Sequence, residues 1–394
     1  MATANHPPGL LMIHLLGRCN LECLHCYMEG SPRRTEQLPL ELVLQAIEEC
    51  PRLGIGTIVV TGGEPLLYRG LDQVLEAAAN LPNVQTTLCT NGTLLTAGKA
   101  EQFRKLGLRI NISIDGQPEF HDRFRNLPGA FRSSERGARH AVDAGIPLTI
   151  IGSISQKNLD SLDFLVHWAA NVGAGEFFAQ PLLNLGRGTQ ITDSCLSFAQ
   201  LNRLILKLTD LANRPEIRNL KCQVIGAKKK FLLQHPCGAF VCNGTGCHRG
   251  VTKEIKKLVI REDGTVLPEV PTLSHRYALG NIRDGSLSEL TERYFARGYD
   301  DFDRLCRAAY AEVLPQWDCI VVPWEQILSE RSLTWRPEAA VALPAPQCAT
   351  CEPAYGDWKG PNSKPAGSLL NLCQIGECNG HTPLLGTQAV PAQL

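Results

Sequence analysis

The chain has no excess charge of either sign. Its 394 residues carry 39 Lys+Arg against 39 Asp+Glu, which excludes the broad positive field of a nucleic-acid binder and leaves only local basic patches. Long hydrophobic runs are also missing. The longest apolar stretch near the start, 9–17, is interrupted by His14 and has no basic region before it. It is too short to span a bilayer and unlike a secretory signal. The expectation is a cytoplasmic protein with neither nucleic acid nor membrane as partner. No internal repeat or low-complexity tract stands out. At roughly 100 to 200 residues per domain, the length predicts two or three domains with room for a buried core.

What the chain has in excess is cysteine, sixteen in all. Thiols stay reduced in the cytoplasm, so clustered cysteines there point to metal rather than disulfides. From residue 10 to about 181 a short apolar run, a Gly- or Asn-bearing turn and an amphipathic stretch recur, the pattern of successive βα units on a parallel sheet. Strands are expected at 10–16, 57–61, 85–90, 109–114, 148–153 and 176–180. Helices are expected at 39–50, 70–80, 97–105, 134–144 and 160–170. Six such units cannot close an eight-stranded barrel, so the expected fold class is α/β with a partial barrel. A further helix is expected at 198–212. Beyond about Cys237 the texture turns to cysteine, glycine and proline, which calls for metal in place of a large core.

The sharpest local signal is Cys19-Asn-Leu-Glu-Cys23-Leu-His-Cys26, directly after the first strand. Three thiolates on one loop can hold three corners of a cubane and leave the fourth iron open; the alternative is a zinc loop with His25 as fourth ligand. The later turns carry Thr61-Gly62-Gly63-Glu64-Pro65, Thr90-Asn91-Gly92 and Ser113-Ile-Asp115-Gly116. Each offers backbone amides and a small polar or acidic group, suited to a zwitterionic amino acid and a ribose. In this order behind the three cysteines they resemble the radical S-adenosylmethionine (SAM) superfamily over residues 8–185. The resemblance implies a partial (β/α)6 barrel with a [4Fe-4S] cluster on Cys19, Cys23 and Cys26, and SAM bound to the open iron. It implies that Gly62, Gly63 and Glu64 serve the methionine amine, that Asn91, Ser113 and Asp115 lie near SAM, and that Tyr27 packs beside the adenine. Arg125 is a candidate for the methionine carboxylate, or else a surface ion pair. A reduced cluster then cleaves the S–C5′ bond, and the 5′-deoxyadenosyl radical abstracts an unactivated hydrogen.

The later cysteines extend the resemblance. Cys247-His-Arg-Gly250, the segment around Gly264 and the stretch 279–290 look like the auxiliary-cluster extension called SPASM, which implies one or two further [4Fe-4S] clusters. A hairpin is expected at Gly264, and a helix at 286–294 capped by Ser286 with Glu289 three residues on. Five positions after the hairpin glycine, where the family has cysteine, this chain has Glu269, a candidate cluster ligand or general base. Cys237 and Cys242 are the possible replacements. Cys348 and Cys351 supply a C-x2-C pair, but Cys373 and Cys378 follow only 22 residues later. The candidate auxiliary ligands are thus Cys237, Cys242, Cys247, Cys348, Cys351, Cys373 and Cys378, with zinc the alternative for the last four. Cys306 or Cys319 could complete a cluster, while Cys50, Cys89 and Cys195 read as core.

The domains expected are a radical SAM barrel at 8–195, a helical linker at 196–236, a SPASM-like domain at 237–380 and a tail at 381–394. Lys228–Lys230 and Lys253, Lys256 and Lys257 form local basic patches, either solvated or facing an acidic peptide leader. The first strand begins near residue 10, so no leader-recognition domain is expected ahead of it; a separate protein would recognise the substrate, or it binds directly. The functional expectation is a radical SAM oxidoreductase of peptide-maturase type. It installs a thioether, crosslink, desaturation or epimerisation and draws electrons from flavodoxin or ferredoxin. The alternatives are action on a small metabolite such as an aminoglycoside or tetrapyrrole, and a non-catalytic iron–sulfur or zinc protein.

Overall fold

A computed structural model describes residues 9–234, 236–241, 255–335 and 372–374, the last three and Cys237 by backbone alone. The strands are β1 Gly9–His14, β2 Ile55–Thr61, β3 Gln85–Thr90, β4 Arg109–Ser113, β5 Leu148–Ile154, β6 Glu176–Pro181, β7 Lys221–Ile225, β8 Ala227–Lys228, β9 Lys257–Ile260, β10 Thr265–Pro268, β11 Gly280–Asn281, β12 Val321–Val322 and β13 Leu372–Gln374. The helices are α1 Leu40–Glu48, α2 Leu71–Ala79, α3 Ala97–Lys105, α4 Pro118–Arg125, α5 Ala130–Asp143, α6 Leu162–Val172, α7 Phe198–Ala212, α8 Lys229–Gln234, α9 Leu287–Arg297, α10 Tyr299–Val313 and α11 Trp324–Thr334. No described helix is long and apolar enough to cross a membrane.

One sheet runs β11-β10-β9-β1-β2-β3-β4-β5-β6-β7-β13. Strands β1 to β7 are mutually parallel, as successive βα units require. Each amphipathic helix buries one stripe against them: Val43, Ala46 and Ile47 in α1, and Leu162, Leu165, Val166 and Ala169 in α6. This is the α/β partial barrel expected, with all six strands found within a few residues of their expected ends. The segment 196–236 adds more than a helix. It contributes α7, closed by the Ser197/Gln200 capping box, and then β7, a seventh strand parallel to β6.

The hairpin expected at Gly264 is β9–β10, with Gly264 at φ +89 in its turn. It does not stand apart, because β9 lies parallel to β1 and extends the barrel sheet. Helix α9 begins with the expected Ser286/Glu289 capping box. Its first amides also donate to a carboxylate of the barrel: Leu287 and Ser288 N–H reach Glu49 at 3.0 and 2.8 Å. Lys257, one of the basic-patch residues, is buried and ion-paired to Glu325 at 2.7 Å. Lys229 donates to the Trp317 carbonyl at 2.7 Å. Neither belongs to a free cationic face.

Side chains alternate along the parallel strands. Ile110 and Ile112 of β4, and Phe177 and Ala179 of β6, enter the core under the helices. Asn111 and Glu176 face the barrel interior in a row of lateral partners, Cys89–Asn111–Thr149–Glu176–Lys221. The charged members of this face satisfy one another: Glu176 accepts from Arg109, Lys221 and Thr149, each at 3.3 Å. Cys89, expected in the core, thus lies on the interior face and accepts from Asn111 at 3.4 Å.

Candidate functional site

The three cysteines sit on the loop that leaves β1, where parallel strands of such folds present their chemistry. Cys19 and Cys23 are buried and Cys26 is half-buried. Ligating thiolates are deprotonated and accept hydrogen bonds, so the N–H groups around them test whether the loop fits a cluster. Every sulfur has one. Cys19 accepts from Leu21 N–H at 3.4 Å and Asn91 Nδ2 at 3.9 Å. Cys26 accepts from Gly30 N–H at 3.4 Å, and Cys23 from Arg125 Nη1 at 3.8 Å. Burial, with Glu64 and the neighbouring thiols, pushes the Cys19 thiol up to about 12 against the Leu21 donor, and burial raises Cys23 against Arg125; a bound cation would oppose both rises.

His25, the alternative fourth zinc ligand, stacks on Phe124 with ring centroids 4.1 Å apart, and burial holds it neutral, its pKa lowered to about 3. Among the described residues no three His, Cys, Asp or Glu side chains converge as a single ion would require. The donor set fits a cluster, whose corners keep the thiolates apart, better than it fits one ion.

The turn after β2 packs directly on this loop. Gly63 N–H donates to Leu16 at 2.7 Å and Glu64 N–H to Arg18 at 2.9 Å. A Cβ on Gly63 would lie 2.2 Å from the Arg18 carbonyl oxygen, so only glycine permits the approach. The Glu64 carboxylate is fully buried and committed. It accepts from Leu66 N–H at 3.1 Å, Thr90 Oγ1 at 2.7 Å and Asn91 N–H at 2.8 Å. Glu64 thereby ties the β2 turn to the β3 turn and aims Asn91 at Cys19. Burial raises its pKa while these donors oppose the rise.

Asp115 and Arg125 form a second tie. Asp115 is fully buried, and its Oδ2 accepts from Arg125 Nε at 2.6 Å while Oδ1 accepts from Ser153 N–H at 3.0 Å. Against the cost of burial, the guanidinium holds this carboxyl well below the usual range. Arg125 is therefore no surface ion pair; it is buried at the end of α4, a helix not expected from the pattern. Asp115 N–H donates to His121 Nδ1 at 3.2 Å, which puts the proton of that neutral ring on Nε2. Ser113 ends β4, half-buried. Tyr27 is half-buried after the last cysteine, its ring 6.1 Å from that of His14, and burial raises its phenol. His14 is wholly buried with neither ring nitrogen partnered among the described residues, and burial lowers its pKa to about 4.

Sequence reasoning did not find Gly186 and Arg187, which follow β6 and clamp the cysteine loop. Arg187 donates through Nε to the Cys23 carbonyl and through Nη2 to that of Gly30, both at 2.8 Å, and its N–H reaches Cys26 O at 3.1 Å. Gly186, at φ +54, leaves no space for a Cβ, which would meet the Tyr27 carbonyl at 2.5 Å. Arg187→Ala is expected to destabilise the protein by about 2 kcal/mol, the scale of lost hydrogen bonds from a charged donor. It should also speed iron loss to a chelator, read as absorbance decay against wild type.

Glu269 occupies the position where the resemblance implies cysteine. It follows β10 in the left-handed region, φ +58, with its side chain buried. Its carboxylate accepts from the backbone N–H groups of Lys256 and Lys257, the latter at 3.3 Å. This is a bracing role for the entry to β9. Burial pushes its pKa up to about 7 against the pull of Lys257. The raised folded value means its contribution to stability is full below the unfolded carboxylate range and is lost as pH rises through about 7. Glu269→Gln is expected to flatten that part of the profile of melting temperature against pH, where one titrating proton contributes a slope of at most about 1.4 kcal/mol per pH unit.

Cys306 is buried on α10, and Cys319 donates to Asn202 at 2.9 Å. Cys50 is core, donating to Ala46 O, and Cys195 is half-buried. Cys242, Cys247, Cys348, Cys351 and Cys378 lie outside the described residues, as do the side chains of Cys237 and Cys373.

Comparison with known proteins agrees with this geometry. Residues 13–169 match the Radical SAM superfamily. The AdoMet-dependent heme synthase of Oleidesulfovibrio alaskensis is 36% identical over 179 residues, 44% of this chain and 45% of that protein. The sporulation killing factor maturation protein SkfB of Bacillus subtilis is 30% identical, over 45% of this chain and 43% of its own length. Such alignments span about half the length of these relatives. Among solved structures, SuiB of Streptococcus suis bound to S-adenosylmethionine superposes with a TM-score of 0.60 at 18% identity, covering 76% of this chain and 68% of SuiB, a likeness of fold. The cysteine loop, the turns packed upon it and the parallel barrel beneath are those of a radical SAM domain, and this chain carries one.

Proposed function

We propose that this chain is a radical SAM oxidoreductase that modifies a ribosomally made peptide. The observation that carries the reading is the trio Cys19, Cys23 and Cys26, each sulfur facing an N–H donor, on a loop braced by the Gly63 and Glu64 turn. When bound, a [4Fe-4S] cluster on these thiolates supplies the electron that cleaves SAM and yields the 5′-deoxyadenosyl radical. The chain's own work is positioning. Glu64, Thr90 and Asn91 lock two turns against the loop, Arg187 clamps its backbone at Cys23 and Gly30, and Tyr27 and Ser113 would serve the nucleoside and amino-acid ends of SAM. Auxiliary clusters on the later cysteines would take up an electron or hold substrate. A reductant such as flavodoxin or ferredoxin supplies the first electron, and a separate leader-binding protein is an expected partner in the cytoplasm.

The barrel interior supports a peptide. Its charged side chains pair among themselves, whereas Gln223, fully buried on β7, has no hydrogen-bond partner for either carboxamide atom among the described residues. A carboxamide matches the donor and acceptor of a peptide bond. The second reading is a tetrapyrrole substrate, favoured by the higher identity to a heme synthase.

The test uses anaerobically reconstituted protein: iron and sulfide per chain, with 5′-deoxyadenosine formation from SAM and dithionite. About twelve irons with turnover support three cubanes and about eight support two. About four irons with zinc and no SAM cleavage overturn the catalytic reading. A propionate-bearing porphyrin is expected to leave its Soret band unshifted on mixing; a saturable shift that stimulates SAM cleavage moves the reading to the tetrapyrrole.

A further inference from the structure

The resemblance assigns Arg125 to SAM, but its strongest contacts are elsewhere. Its Nε is held 2.6 Å from Asp115, and its Nη1 lies 3.8 Å from the Cys23 sulfur. The guanidinium cannot swing freely, because Asp115 is anchored by Ser153 N–H at 3.0 Å and its carbonyl by Asn158 at 2.5 Å. Both ends of the pair are buried, at 8% exposure for Arg125 and none for Asp115, so solvent screens them little. Two neighbouring charged groups are engaged elsewhere: Arg187 with backbone carbonyls, Glu64 with three donors.

We propose that Arg125 and Asp115 act as an opposed pair that sets the reduction potential of the cluster held by Cys19, Cys23 and Cys26. Reduction adds one negative charge to the cluster. A fixed cation hydrogen-bonded to a ligating sulfur stabilises that charge and raises the potential, and a buried carboxylate behind the cation offsets the rise. Asp115 also makes the arginine tolerable in the fold, since a lone buried charge is costly. The geometry makes both residues positioning and tuning groups for the cluster. The proposal rests on the reading of the three cysteines as its ligands.

The test is a redox titration of the full, reconstituted chain without SAM, followed by electron paramagnetic resonance. The relevant cluster is identified beforehand as the one whose signal changes when SAM is added. Arg125→Gln is expected to move its midpoint to more negative potential, Asp115→Asn to more positive potential, and Arg125→Lys to fall between wild type and Arg125→Gln. Iron per chain and far-ultraviolet circular dichroism report the fold of each variant. Unmoved midpoints overturn the proposal, and so does a shift of all three variants in one direction, the signature of a loosened loop. Should Arg125→Gln lose its cluster, the sign for Asp115→Asn and the lysine variant decide alone. A wild-type chain with no SAM-responsive cluster defeats the cysteine reading itself, whereas a SAM-responsive cluster with unmoved midpoints defeats only the pairing.

Discussion

Cys23→Ala is expected to abolish 5′-deoxyadenosine formation and to lower the iron of the reconstituted chain by about four atoms, the content of one cubane. Under the proposed reading Cys23 is the middle ligand of the trio, so its loss would leave two thiolates, too few to hold a cluster that also keeps one iron open. The substitution is small and its structural cost limited. The neighbours of Cys23 are held by other bonds: Leu24 N–H on the Phe124 carbonyl at 3.0 Å, and Arg187 on the Cys23 carbonyl. The barrel should therefore melt near the wild-type temperature while activity vanishes. Cys50→Ala is the control, since that thiol is buried just past the end of α1 and donates to Ala46 O; it is expected to retain iron and turnover at a modest cost in stability. A Cys23→Ala protein with full iron and undiminished SAM cleavage would remove the trio from the chemistry. Partial iron loss with no SAM cleavage in either protein would instead indicate a structural metal.

The parallel strands were legible in advance because each is a short apolar run closed by a turn, and the turns carry the residues that meet the cysteine loop. What could not be read was tertiary. Helix α4 is eight residues of mostly polar sequence, Pro-Glu-Phe-His-Asp-Arg-Phe-Arg, too short for its period to show. It buries Arg125 because Asp115 waits beneath it. Strand β7 is only five residues and follows a helix with a short 3-10 turn, so local pattern gave it no more claim than a loop. Arg187 reaches Cys23 across 164 residues, and no spacing rule spans that. Glu64 was visible as part of a motif, and its side chain also ties two turns together, which the motif alone does not show. The motif marks where the backbone must pass close by, and the carboxylate keeps it there.

Gly63→Ala is the second substitution with a large expected effect, and it tests that packing without touching a ligand. The added methyl would sit 2.2 Å from Arg18 O and 2.7 Å from Gly17 O. Both are backbone atoms of the segment between β1 and Cys19, so no side-chain rotation relieves the clash. The β2 turn must retreat from the loop. Retreat breaks the bonds from Gly63 N–H to Leu16 and from Glu64 N–H to Arg18, and it pulls the Glu64 carboxylate from Thr90 and Asn91. Overpacking costs about 1–3 kcal/mol and each hydrogen bond about 1 kcal/mol more. With four hydrogen bonds lost, a total of about 5–7 kcal/mol follows, read as an earlier urea midpoint with the slope unchanged. The functional loss should exceed the loss of stability. Asn91 no longer reaches Cys19, and the turn that would hold the methionine amine is displaced, so SAM affinity is expected to fall at least tenfold in a binding titration even where iron is retained. Glu64→Gln separates the two effects. It keeps the turn in place and exchanges one acceptor oxygen for a donor opposite Thr90 or Asn91, so it is expected to lose stability while SAM affinity changes less than in Gly63→Ala. The reverse order would mean that the carboxylate, not the close approach of the turn, governs SAM binding.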